Sequence, residues 1–201
     1  MNLGFDLDEV IAKTAHMSVS HLNEIFECDL DIEVFENFWF RDNTYDEDER
    51  INTAAVQCLE WSVKDARMLS SVEPYPEAIK VLNIFRKMGH KIFIVTKREK
   101  YLKEDTVKWL HTHKIPFDKL IVTNHEPKST FARKYRLDCF VDDLEENLEE
   151  LYKNKATWKK GLMLMSRPWN VNRFIDKSKF IRVDNWNDVL KVIQVQNRFK
   201  T

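Results

Sequence analysis

Six short apolar runs, at 3–5, 92–95, 120–123, 139–141, 162–165 and 180–183, limit what this 201-residue chain can fold into more than any other feature. Helical periods lie between them. The clearest places Ala78, Val81, Leu82, Phe85 and Met88 on one face, with Pro76 near the first turn and Gly89 just past the end, the expected start and stop signals. A second period joins Leu102, Thr106, Trp109 and Leu110, and a third follows Asp143 through Leu144, Leu148 and Leu151. Strands alternating with helices of this length predict right-handed βαβ units, and hence an α/β fold with a mainly parallel, Rossmann-like sheet flanked by helices.

One region breaks the alternation. Residues 14–71 contain no convincing strand, only helical stretches around 16–26 and 47–68 with an aromatic knot of Phe35, Phe38, Trp39 and Phe40 between them. The segment reads as a small helical cap inserted after the first strand, so residues 1–13 and 72–201 form the core and 14–71 the cap. A chain of this length buries one substantial core plus at most a small second lobe.

Composition narrows the function classes. Apolar residues at 43% and aromatics at 12% rule out disorder, and 32 basic against 33 acidic residues leave a net charge of -1. With no long basic block, a nucleic acid polymer is not the expected partner. No apolar stretch approaches the length of a membrane span and no signal peptide is visible, so neither membrane nor export is expected. Three scattered cysteines, Cys28, Cys58 and Cys139, fit buried free thiols in a reducing, cytoplasmic setting. The three glycines of the chain cannot build a glycine-rich phosphate loop.

Within "FDLDEV", Asp6 and Asp8 stand one residue apart where the first apolar run ends. Two other D-x-D pairs, Asp29 with Asp31 and Asp46 with Asp48, follow no apolar strand. In open α/β sheets ligands bind at the carboxyl ends of strands, which separates the first pair from the other two. Three further elements follow in order. "KIFIVTKR" ends a strand at Thr96, followed by Lys97 and Arg98; Lys128 opens a helical stretch; and "FVDD" ends the next strand at Asp142 and Asp143. The last pair also suits an acidic helix cap. Converging at one sheet edge, these carboxylates would repel one another without a cation. An all-oxygen site suits Mg²⁺, which takes substrate phosphate oxygens, and a carboxylate beside it can attack phosphorus.

In order and spacing, "FDLDEV", "FIVTK", Lys128 and "FVDD" resemble the four motifs of the haloacid dehalogenase-like hydrolases. The helical insertion, "SRPWN" at 166–170 and "RVDNWNDVL" at 182–190 are similar to the 5'(3')-deoxyribonucleotidases and their bacterial and phage relatives. The resemblance implies a phosphomonoester hydrolase acting through an aspartyl-phosphate. Asp6 would be nucleophile and Mg²⁺ ligand, and Asp8 the general acid and base, with its backbone carbonyl on the metal. Thr96 and Lys128 would hold the phosphoryl group, and Asp142 and Asp143 would anchor Mg²⁺, with Asp143 favoured for the direct bond. A partly desolvated setting would keep Asp8 protonated.

The chain departs from that pattern twice. Glu9 stands where those nucleotidases carry Gly, and is expected to point to solvent because carboxylates are rarely buried unpaired. Lys97 replaces a small hydroxyl residue, and with Arg98 would either recognise extra negative charge on the substrate or sit on the surface. Trp39, Phe40 and Trp61 are candidates to stack on a nucleobase, or else form the cap's own core. His111 and His113, two apart on a helix, do not face the same way and make no zinc pair. A nucleoside monophosphate is the expected substrate. Another small phosphomonoester, such as a sugar or cofactor phosphate, and a non-catalytic binding role are the alternatives. The sequence leaves a homodimer open.

Overall fold

A computed structural model describes residues 1–34, 64–156, 161–172 and 176–198. Strands β1 (Asn2–Phe5), β2 (Lys91–Thr96), β3 (Lys119–Val122), β4 (Cys139–Asp142), β5 (Leu162–Met165) and β6 (Ile181–Val183) form one sheet in the order β3-β2-β1-β4-β5-β6. Every neighbouring pair is parallel. All six runs expected from the sequence are strands. The α-helices are α1 (Thr14–Phe26), α2 (Ala66–Ser71), α3 (Pro76–Lys87), α4 (Lys103–Thr112), α5 (Lys128–Lys134), α6 (Glu145–Lys153), α7 (Pro168–Val171) and α8 (Trp186–Arg198).

The period of two along each strand divides its side chains between two cores. Ile92, Ile94, Val141, Met163 and Met165 join Phe85 of α3, Trp109 of α4 and Val189 of α8 on one face. Phe93, Val95, Phe140, Leu162 and Leu164 join Ala132 of α5 and Leu148 and Leu151 of α6 on the other. Burial on both faces is why these strands read as continuous apolar runs rather than as an alternation of apolar and polar residues. Gly4 in β1 is required by this packing, since a Cβ there would lie 2.5 Å from Cδ2 of Phe140. The ends of α3 follow the sequence signals, with Pro76 in the first turn and Gly89 at φ +78° beyond the last. Met88, counted with the apolar face, instead caps the helix and is exposed.

The stretches that flank residues 14–71 run side by side. Ala12 bridges Pro74, the Lys13 amide donates to the Glu73 carbonyl at 2.8 Å, and the Tyr75 amide donates to the Ile11 carbonyl at 2.8 Å. The indole of Trp186 donates to the Val10 carbonyl at 3.0 Å, so "RVDNWNDVL" ties α8 to the loop after β1. The expected helix at 47–68 lies mostly outside the described residues, which contain only its end, where α2 begins at Ala66. The aromatic knot and Cys58 also lie outside them. Cys139 is a buried thiol as expected, whereas Cys28 is only partly buried. Among the described residues no helix is long and apolar enough to cross a membrane.

Candidate active site

Strand order reverses at β1. From β1 the chain moves to β2 and β3 on one side, then crosses to β4 on the other, which opens a crevice at the carboxyl ends of β1 and β4. Asp6 sits at that edge, where its amide extends the ladder by donating to the Val141 carbonyl at 2.9 Å. Asp142 ends β4, Thr96 ends β2, and Lys128 opens α5. The sheet therefore gathers Asp6, Asp8, Thr96, Lys128, Asp142 and Asp143 at one edge.

Lys128 is 1% exposed, and its Nζ lies 2.9 Å from Oδ1 of Asp6 and 2.8 Å from Oδ2 of Asp142. Oδ1 of Asp142 accepts from the Leu144 amide and from Nδ2 of Asn147, both at 3.0 Å. Oδ2 of Asp143 accepts from the Trp169 indole at 3.1 Å, and the Asp143 carbonyl accepts from Nδ2 of Asn170 at 2.8 Å. One carboxylate oxygen from each of Asp6, Asp142 and Asp143 lies within 4.8 Å of the others. Among the described residues, Oδ2 of Asp6 and Oδ1 of Asp143 receive no donor, whereas both oxygens of Asp142 are engaged.

The charge balance is uneven, because three buried carboxylates cluster about one ammonium that contacts only two of them. Burial pushes the Asp6 carboxyl up and the charges of Asp142 and Asp8 add to it, while Lys128 opposes. Burial likewise raises Asp143 well above the ordinary range, reinforced by Asp142 and Asp6. Burial alone would lower the Lys128 ammonium, but Asp142 and Asp6 outweigh it and hold the group charged. The surplus of negative charge, the all-oxygen donor set and the two open carboxylate oxygens together fit a hard divalent cation such as Mg²⁺.

Asp8 departs from expectation. Burial would raise its carboxyl, but the Arg98 guanidinium outweighs burial and holds it below the ordinary value, against the expectation that desolvation keeps it protonated. Arg98 grips it with both arms, Nη2 to Oδ1 at 2.6 Å and Nε to Oδ2 at 3.1 Å. Thr14, the first residue of α1, donates its hydroxyl to Oδ1 at 2.6 Å, and Thr96 donates to Oδ2 at 3.5 Å. Arg98 is 3% exposed and paired with Asp8, so the surface reading of this side chain does not hold.

Glu9 overturns the solvent expectation outright. It is 4% exposed, accepting from the Ala15 amide at 2.6 Å and the Tyr75 hydroxyl at 2.9 Å. Its carbonyl accepts from Nε of Arg167 at 2.7 Å, and the Arg167 guanidinium stacks over the Tyr75 ring at 4.5 Å. The backbone takes φ +55° at Glu9, so the chain follows the left-handed path natural to Gly while carrying a side chain.

Lys97 is exposed, with its ammonium 2.6 Å from Oδ1 of Asn147, outside the carboxylate cluster. Trp39, Phe40 and Trp61 lie outside the described residues. Sequence reasoning gave no role to Asn147, Trp169 or Arg167. The only signal for the last two was their place in "SRPWN", a stretch noted for its likeness and not for its contacts.

The comparisons with known proteins agree with this geometry. The profile of the family described as 5' nucleotidase, deoxy (pyrimidine), cytosolic type C protein (NT5C) matches residues 1–199. A nucleotidase of Clostridium acetobutylicum is 27% identical over 143 residues, 71% of this chain and 71% of its own. Among solved structures, a predicted phosphoglycolate phosphatase of Haemophilus somnus superposes with TM-score 0.60 at 15% identity, covering 96% of this chain and 97% of that one. A HAD-superfamily hydrolase of Ehrlichia chaffeensis gives TM-score 0.58 at 12% identity, covering 97% of each. With a haloacid dehalogenase-like fold and a family match over nearly its whole length, the chain belongs to the NT5C 5' nucleotidase family of phosphoric monoester hydrolases.

Proposed function

We propose that the chain is a Mg²⁺-dependent, cytoplasmic phosphatase of (deoxy)nucleoside monophosphates that passes the phosphoryl group through Asp6. The observation that carries this reading is the buried cluster of Asp6, Asp142 and Asp143, with Lys128 paired to the first two, at the strand-order reversal. Asp6 and Asp143, each with an oxygen open to a ligand, would hold the cation, with the Asp8 carbonyl and Asp142 completing the set directly or through water. Bound Mg²⁺ supplies positive charge to the substrate's phosphoryl oxygens.

The chain's own residues divide the remaining work. Asp6 attacks phosphorus, the bond to the leaving oxygen breaks, and Asp8, whose carboxyl the negative charge of the bound substrate raises toward protonation, gives that oxygen its proton. Water then attacks the aspartyl-phosphate, Asp8 takes the water's proton, and the bond from phosphorus to Asp6 breaks to release inorganic phosphate. Asp8 takes its proton from solvent as substrate binds and returns the second-step proton to solvent when phosphate leaves, so the cycle balances. Lys128 meets the negative charge of the phosphoryl group from the buried side, and the Thr96 hydroxyl orients it from the end of β2. Residues 14–71 act as the cap over the leaving group, where Trp39, Phe40 and Trp61 are the candidates to stack on a base.

The test is a phosphate-release panel with Mg²⁺ over nucleotides, sugar phosphates, cofactor phosphates and small organic-acid phosphates. Release from nucleoside monophosphates above all others, stopped by EDTA and absent in Asp6→Asn, is the expected result. Equal rates on sugar phosphates would sink the nucleotide assignment and leave the phosphatase. Binding of Mg²⁺ and nucleotide without release from any ester would sink catalysis itself.

A further inference from the structure

We propose that Arg98 is a positioning residue for proton transfer: one arm of its fork and the Thr14 hydroxyl occupy Oδ1 of Asp8 while the other arm only steadies Oδ2, leaving Oδ2, beside Thr96, as the oxygen that gives and takes the proton. The inference rests on the phosphatase reading and extends it to a residue outside the four motifs. Oδ1 accepts two donors at 2.6 Å, from Nη2 of Arg98 and Oγ1 of Thr14. Oδ2 has only Nε of Arg98 at 3.1 Å and Oγ1 of Thr96 at 3.5 Å. The two oxygens are thus unequal, and the less engaged one lies on the side of the residue that orients the phosphoryl group.

The guanidinium is itself anchored. Nη1 of Arg98 reaches Oγ1 of Thr106 on α4 at 3.5 Å, Thr106 donates to the Leu102 carbonyl at 2.8 Å, and the Arg98 amide donates to Oγ1 of Thr96 at 3.3 Å. A planar fork held at both ends fixes the carboxylate's rotation, which a single ammonium on a flexible stem does not. Arg98 also belongs to the core while Thr14 opens α1 of the inserted segment, so Asp8 is gripped from both sides. In the forward step the proton leaves Oδ2 for the leaving oxygen as the bond from phosphorus to that oxygen breaks. In the hydrolytic step it returns to Oδ2 from water as the new bond from oxygen to phosphorus forms and the Asp6 ester opens.

The experiment compares kcat/KM for the best ester of the panel with that for its analogue carrying sulfur in place of the bridging oxygen. A thiolate leaves without a proton, whereas an alkoxide needs one, and kcat/KM reports only steps through departure of the leaving group. In Arg98→Met, kcat/KM for the oxygen ester should fall by about 10²-fold, the scale of a displaced general acid. For the sulfur analogue it should change by less than about threefold on that same reasoning. Arg98→Lys, which keeps the charge but loses the fork, should show the same split at smaller size. Equal losses on both esters in a variant that melts like wild type would overturn the proposal, as would an unchanged ratio in Arg98→Lys if Arg98→Met does not fold. Wild-type protein that releases phosphate from no ester sinks the phosphatase reading instead.

Discussion

Two buried cations face the same crevice and behave differently. Lys128 places one ammonium between two carboxylates, at 2.9 Å from Asp6 and 2.8 Å from Asp142, with its Nζ 5.5 Å from the centroid of the Phe140 ring. Arg98 spends both arms on one carboxylate, Asp8. A point charge with rotatable donors can be shared and redirected toward an arriving phosphoryl group, whereas a planar fork fixes a single partner. The difference suits the roles proposed for their partners, since Asp6 must be free to form and break a bond to phosphorus while Asp8 must keep one oxygen aimed.

Removing the shared cation has the largest expected effect. Lys128→Met leaves Asp6 and Asp142 facing each other without their ammonium. It should lower kcat by about 10²- to 10³-fold, as loss of one transition-state charge partner does. In the absence of metal it should also cost about 3–5 kcal/mol of stability, the penalty for breaking a buried ion pair by removing one partner. Lys128→Arg should not restore the activity, because a 1% exposed site packed around a compact ammonium has no room for the larger planar guanidinium. Steady-state kinetics and denaturant melts in EDTA check both parts. Wild-type activity in Lys128→Arg would erase the distinction between the two cations.

The carboxylates differ as the cations do, and Glu9 sharpens the contrast with its neighbour Asp8. Asp8 is held by a charged fork at hydrogen-bond distance, whereas the hydrogen bonds to Glu9 come from neutral donors, the Ala15 amide and the Tyr75 hydroxyl, with the Arg167 charge acting from 3.8 Å. Glu9→Gln keeps only one acceptor oxygen for the two donors and should cost about 1–3 kcal/mol, the price of a buried donor left unpaired. At φ +55° the usual helical order of Ala over Gly should invert, making Glu9→Ala less stable than Glu9→Gly by about 1 kcal/mol. Thermal melts of the three variants test this, and an Ala variant as stable as the Gly one would contradict the left-handed backbone.

How much of this was legible in the sequence follows from where each residue finds its partners. The strands were legible because burial on both faces makes runs such as 92–95 apolar throughout, a local signal. Asp6, Thr96, Lys128, Asp142 and Asp143 were legible because each stands at a strand or helix end that such a run marks. Glu9 was not, because its burial depends on Tyr75, 66 residues away, and Arg167, 158 residues away. Neither distance leaves a trace in the local pattern, so the general rule for carboxylates pointed to solvent. Arg98 could not be told from Lys97 by type, and only the partner 90 residues upstream separates them.

Lys97 carries the smallest expected effect and the most direct test of that separation. It is adjacent to Arg98 and bears the same charge, yet it is exposed and donates to Asn147, whose Nδ2 in turn donates to Asp142. Asn147 is itself 4% exposed and sits in α6, so its position does not depend on the Lys97 ammonium. An exposed hydrogen bond from a lysine contributes little, because water replaces the lost partner and the long side chain regains its freedom. Lys97→Ala should therefore change stability by less than about 0.5 kcal/mol, and kcat by less than about threefold, a barrier change of the same order. A KM that rises tenfold while kcat holds would instead assign Lys97 to uniform binding of substrate charge. That result would move the third cation of this edge from the surface into the site, so KM, measured on the ester the panel selects, is the quantity that decides.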